Sequence, residues 1–136
     1  MQPEGKIIAP APIPAALTET SGAIIGAAIE VHRILGPGLL EGVYERALVH
    51  ELRLRGMAVK QQWPVAVTYK DLRIEGQRLD LLVDPGVIVE LKTVDRLLAI
   101  HEAQLLSYLK STGLRLGLLI NFHAEVLTRG LRRLVN

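Results

Sequence analysis

An α/β fold with a mixed sheet is predicted by three features of this 136-residue chain. Apolar residues recur at helical spacing over about 21–35 and 39–55. The period then changes to two, from about Met57 to Val94. A second helical stretch follows, and after it the strongly apolar run "LRLGLLINF". The resulting order, ααβββ(β)αβ, suits helices layered on a sheet around one modest core.

Taken in order, the elements have these local reasons. Residues 1–17 hold four of the seven prolines. Pro disrupts both helices and central strands, so an extended or disordered N-terminal arm is expected, with one domain over 18–136. The first helix is expected from Ser21 to Leu35, with Thr18 or Ser21 as N-cap. Gly36-Pro37-Gly38 breaks it. The second runs from about Leu39 to Arg55 and ends at Gly56. "MAVKQQWPVAVTYK" reads as one or two strands, with Pro64 marking an edge, bend or bulge. "KDLRIEGQ" is rich in turn formers. A hairpin at about 77–83 and 87–93 turns at Asp84-Pro85-Gly86. Asp95 is a candidate N-cap for a helix from Arg96 to Ser111, closed by Gly113. "LRLGLLINF" supplies a last apolar strand, and "EVLTRGLRRLVN" a helical turn and an edge strand.

Composition excludes several chemistries. Apolar residues make up 49%, with one Trp, one Phe and three Tyr, so the core is aliphatic. There is no cysteine, hence no disulfide and no thiolate zinc site. His32, His50, His101 and His123 lack the pair spacing of zinc ligands. Gly36-Pro37-Gly38 precedes a helix but lacks the lysine and the preceding strand of a phosphate loop. The net charge of +2 permits a polyanionic partner without requiring one. No apolar run reaches the roughly 18–20 residues of a membrane helix. "AIIGAAIEVHRIL" is interrupted by Glu30, His32 and Arg33. With no apolar signal core at the start, a soluble, cytoplasmic protein is the expectation.

The informative stretch is the hairpin "LDLLVDPGVIVELKTV". A three-residue loop pairs Val83 with Val87, Leu82 with Ile88, Leu81 with Val89 and Asp80 with Glu90. Alternation puts Leu79, Leu81, Val83, Val87, Val89 and Leu91 on one apolar face. Asp80, Leu82, Ile88, Glu90 and Lys92 share the other. Two facing carboxylates repel, and one pKa rises unless a cation intervenes. Three explanations stand at this point. Lys92 and Arg78 neutralise the acids in a surface cluster; the register differs by one residue; or a divalent metal binds, since hard oxygen ligands suit magnesium, manganese or calcium.

Two further stretches bear on the choice. In "IHEAQLLSYLKSTG", Gln104 and Tyr108 are four apart and share a helix face, with His101 one turn earlier. A solvent-facing stripe explains that pattern as well as a site does. In "GPGLLEGVYERAL", Glu41 and Tyr44 are neighbours on the second helix. The helix dipole alone accounts for an acid in the first turn.

Together these residues carry a resemblance. Gly38-Leu39-Leu40-Glu41-Gly42-Val43-Tyr44 resembles the motif of the GxxExxY protein family. "RLDLLVDPGVIVELKTV", "AQLLSYLKSTGL" and "GLLINF" resemble the same family in order and spacing, over about residues 20–136. That family lies in the PD-(D/E)XK nuclease superfamily, and the Gln-x-x-x-Tyr helix resembles its RecB-like branch. The resemblance implies a restriction-endonuclease-like core, a mixed four- to five-stranded sheet flanked by helices. It implies Asp80, Glu90 and Lys92 as the motif residues, Glu41 as the preceding acid, and Gln104 with Tyr108 as the accessory pair. Leu79 stands where the superfamily name has Pro. The implied activity is phosphodiester hydrolysis in nucleic acid, DNA before RNA. The implied metal is Mg2+, with Mn2+ as substitute, held by Asp80, Glu90, Glu41 and the Leu91 carbonyl. A catalytically weak or inactive module binding nucleic acid or protein on the same fold is the alternative. A homodimer is an expectation, since the arm and the Leu-rich surface are able to pack on a twin.

Overall fold

The computed structural model describes residues 11–136. Three helices and five strands follow in the order α1 (Ala15–Leu35), α2 (Glu41–Leu54), β1 (Val59–Tyr69), β2 (Leu72–Val83), β3 (Val87–Lys92), α3 (Ala99–Thr112), β4 (Leu116–Asn121) and β5 (Leu131–Val135). A single 3-10 turn, Leu127–Gly130, precedes β5. The sheet has the order β1-β2-β3-β4-β5. β3 and β4 are parallel, joined by the α3 crossover; every other pair is antiparallel. This is the mixed α/β sheet that the periodicities predict, with the C-terminal turn and edge strand in place.

Two apolar layers form on the two sides of the sheet. On one, Ile24, Val31, Tyr44, Leu48 and Leu52 of α1 and α2 pack on Leu81, Val83, Val87, Val89, Leu91, Leu118 and Ile120. On the other, Leu105, Tyr108 and Leu109 of α3 pack on Val65, Leu79, Ile88 and Leu119. Leu79 therefore departs from the expected face. Alternation from Leu81 would place it under α1 and α2, but the strand changes sides at Asp80.

Four local expectations are corrected. The helix begins at Ala15, within the expected arm, and neither Thr18 nor Ser21 caps it; Ser21 Oγ donates back to the Thr18 carbonyl inside the helix. Ala15, Ala16 and Leu17 are strong helix formers, and a proline is harmless just ahead of the first turn. The rest of the arm to Pro10 lies outside the described residues. "KDLRIEGQ" is mostly strand. Only Lys70 and Asp71 turn, with φ of 45° and 69°, a two-residue mirror-image turn that pairs Tyr69 directly with Leu72. One extra β2 residue is absorbed near Gly76, φ 114°. β1 is thus one continuous strand and, as Pro64 suggests, an edge.

Asp95 does not cap α3, which starts four residues later, and His101 Nδ1 accepts the Leu98 N–H at 2.9 Å. The delay has a cause. Buried Asn121 clamps Val94 through both its backbone groups, N–H at 3.1 Å and carbonyl at 2.8 Å, which pins the chain to the end of β4.

Tyr44 is wholly buried and stacks on Phe122, ring centroids 4.7 Å apart. Its hydroxyl donates to the Gly36 carbonyl and accepts the Leu39 N–H at 3.1 Å. The tyrosine therefore fixes the Gly36–Leu39 loop and with it the start of α2, where Glu41 stands. Replacing Tyr44 by Phe strands both backbone groups. A loss of about 1–3 kcal/mol is expected on chemical denaturation.

Candidate active site

The β2–β3 register is as expected from Val83↔Val87 to Leu81↔Val89, and there it stops. Beyond it the acids replace the ladder. Glu90 Oε1 accepts the Asp80 N–H at 2.9 Å, and Asp80 Oδ2 accepts the Leu91 N–H at 2.9 Å. Each carboxylate occupies a backbone donor of the opposite strand. The strands part at this point, while β3 continues to pair with β4 as far as Lys92↔Asn121.

Glu90 is 4% exposed. Its carboxyl is pushed up to about 8, first by burial and then by the Asp80 charge; the Asp80 N–H and Lys92 oppose the rise. Of the three explanations for the charged hairpin end, the register slip is excluded by the observed pairing. The neutralised surface cluster also fits poorly. Among the described residues neither Lys92 nor Arg78 makes a salt bridge to either acid.

Lys92 points instead into a polar run. Its Nζ donates to Gln104 Oε1 at 3.2 Å, Gln104 Nε2 donates to the Tyr108 hydroxyl at 3.2 Å, and that hydroxyl donates to Gln77 Oε1 at 3.1 Å. Gln104 and Tyr108 meet Lys92 because they are one turn apart on α3, whose inner face covers β3. Tyr108 is buried, and its pKa is raised by desolvation first and by Glu90 next. His101 does not join them, being used at the start of α3.

Glu41 comes from the other side, at the first turn of α2. Its pKa is raised by partial desolvation and then by Asp80, with Lys92 acting in the opposite direction, so it lies within the same field. It is nonetheless an exposed residue. Among the described residues no three His, Asp or Glu side chains close into a group able to hold a metal.

Four polar residues here escaped the sequence reading. Gln62 Nε2 donates to Glu45 Oε1 at 2.8 Å and to Asp80 Oδ1 at 3.4 Å, and Gln61 Nε2 reaches Glu45 Oε2 at 3.2 Å. Gln77 ends the Lys92 run. Glu45 was within reach as the residue one turn after Glu41. Gln62 was not, because its role depends on a φ of 50° in mid-strand, in the left-handed region. A side chain costs energy there, and such strain gathers at functional sites. Gln62→Gly and Gln62→Ala both lose the amide and differ in this strain. The glycine variant is expected to be about 1 kcal/mol more stable by chemical denaturation.

With this geometry in view, the comparisons with known proteins give one match. A model of the PD-(D/E)XK nuclease superfamily matches residues 18–134. The chain belongs to that superfamily, and its mixed five-stranded sheet between helices is the restriction-endonuclease-like architecture. No curated protein and no solved structure matches. No helix among the described residues is long and apolar enough to cross a membrane.

Proposed function

We propose that the protein is a metal-dependent nuclease that hydrolyses phosphodiester bonds, with DNA as the first substrate to test, and that residues 18–136 form its one domain. Superfamily membership supports nucleic acid as substrate and a divalent ion as cofactor. Within the superfamily we assign it to the GxxExxY family and the RecB-like branch, on Glu41, Tyr44, Gln104 and Tyr108.

The single observation that carries the reading is the opened strand end. A buried carboxylate, Glu90, sits there beside Asp80 with no cation among the described residues paired to it. A hard cation fits this donor set, which is all oxygen. Asp80 and Glu90 would hold it, with the Leu91 carbonyl, which lies on the same strand edge as the N–H given to Asp80. Glu41 would complete the set or orient a water. We propose Mg2+, with Mn2+ able to replace it. When bound, such an ion supplies a nucleophilic water near neutral pH and charge for the phosphoryl oxygens.

The chain's own groups do the rest. Lys92 brings a positive charge to the phosphate and stabilises the negative charge that develops on it. Gln104 fixes the lysine's position, and Tyr108, held by Gln77, fixes Gln104. Gln62 steadies Asp80.

One observation favours the alternative, a weak or inactive binding module: the three acids do not close into a metal-holding group. Calorimetric titration with Mg2+ and Mn2+ decides between them. Binding by the wild type that disappears in Glu90→Ala supports the nuclease reading, and absence of binding at neutral and alkaline pH sinks it. A homodimer is proposed alongside, supported by exposed Leu39, Leu40 and Val43 at the start of α2; light scattering tests it.

A further inference from the structure

The β1–β2 hairpin runs on past the candidate site as a two-stranded arm, with most of its side chains exposed. Between Lys60 and Arg78 it carries four cations, Lys60, Lys70, Arg73 and Arg78, against two acids, Asp71 and Glu75. Its aromatic residues are also uncovered: Tyr69, and Trp63 at 39% exposure. Lys60 Nζ sits 4.4 Å from the Trp63 ring centroid, and Lys70 stands 5.5 Å from that of Tyr69.

Trp63 occupies a particular place. Its cross-strand partner is Leu79, the residue next to Asp80, and its own neighbour is Gln62, which bonds Asp80. The ring borders an open groove of about 390 Å³ between the hairpin and the C-terminal end of α3. Leu79 and Val65 line its apolar part; Thr68, Arg73 and Ser111 supply polar groups. That volume falls within the roughly 300–1,000 Å³ of small-ligand clefts and is far too narrow for a duplex.

We propose that this groove binds an unpaired nucleotide of the substrate strand, with its base stacked on Trp63 and its backbone held by Lys60 and Arg73. An aromatic face backed by cations suits an unpaired base, because every base presents a π-face and stacking needs no sequence match. The phosphate adjoining that nucleotide is thereby delivered to Asp80, one residue from the groove floor. The substrate class is nucleic acid with a single-stranded segment at the scissile bond. This rests on the nuclease reading.

Trp63 is the chain's one tryptophan, so its emission reports on the groove alone. Metal-free wild-type protein is titrated with a short oligothymidylate and, separately, with a blunt duplex of equal length. Quenching by the single strand at concentrations where the duplex has little effect is expected. Fluorescence anisotropy with labelled oligothymidylate should show about a tenfold or greater loss of affinity in Trp63→Ala and near-retention in Trp63→Phe. Circular dichroism checks that both variants fold; if Trp63→Ala does not, the wild-type quench and the Phe variant still decide. Equal quenching by duplex, no quenching, or unchanged affinity in Trp63→Ala overturns the proposal. The two readings fail separately. Cleavage without a Trp63 effect removes the groove and keeps the nuclease. Selective quenching without metal binding keeps the groove and removes the nuclease.

Discussion

Lys92→Ala is expected to lower metal-dependent cleavage by about 10²–10⁴-fold while leaving metal binding and fold intact. Among the described residues the lysine's one side-chain partner is the exposed Gln104, so its removal strands no buried group there. Nor does it pair with either acid. What disappears is the positive charge that the proposed mechanism sets beside the phosphate. Asp80→Ala should abolish cleavage as well, but through metal binding, and with some loss of stability because the Leu91 N–H loses its acceptor. Single-turnover cleavage, calorimetry and thermal unfolding separate the two. Unchanged cleavage in Lys92→Ala would remove the lysine from the proposed mechanism. Parallel loss of metal binding would give it a different role.

The second large effect concerns pH. The folded-state pKa of Glu90, about 8, lies well above the usual carboxylate value. Between about pH 4.5 and 8 the folded protein therefore binds a proton that the unfolded chain has already released. Unfolding then releases protons, so stability falls as pH rises through this window. A decline of a few kcal/mol from the acid end to pH 8 is expected for metal-free protein. Glu90→Gln keeps the shape and removes the titration. Its stability should fall less steeply over that range and should exceed that of the wild type at pH 8. The same proton competes with a cation. Mg2+ or Mn2+ affinity should rise with pH toward 8, with proton release on binding that buffer-dependent calorimetric heats will reveal. A stability profile that rises with pH in the absence of metal would refute the assignment of Glu90 as the buried, proton-binding acid.

The local and periodic features of the fold were the legible ones. The β2–β3 register follows from an apolar alternation and a short turn, both written within fifteen residues. The closeness of Gln104 to Tyr108 follows from helical spacing. Features that depend on distant partners were not legible. The late start of α3 is set by Asn121, some twenty residues beyond it. The side change at Leu79 comes from the break at Asp80, which alternation takes no account of. Gln62 looked like one polar residue among several in a strand; a backbone angle turns it toward Asp80. Tyr44 reads as a motif residue beside Glu41, yet its place is in the core, holding the loop that leads to the acid.

The exchange of hydrogen bonds between Asp80 and Glu90 has a spectroscopic consequence. The amide protons of Asp80 and Leu91 each end on one of the two carboxylates that would hold the proposed cation. Their nitrogen and proton chemical shifts should therefore move together in an isotope-labelled sample, as a matched pair from opposite strands. The two resonances would report occupancy of this end of the sheet directly, with no substrate present.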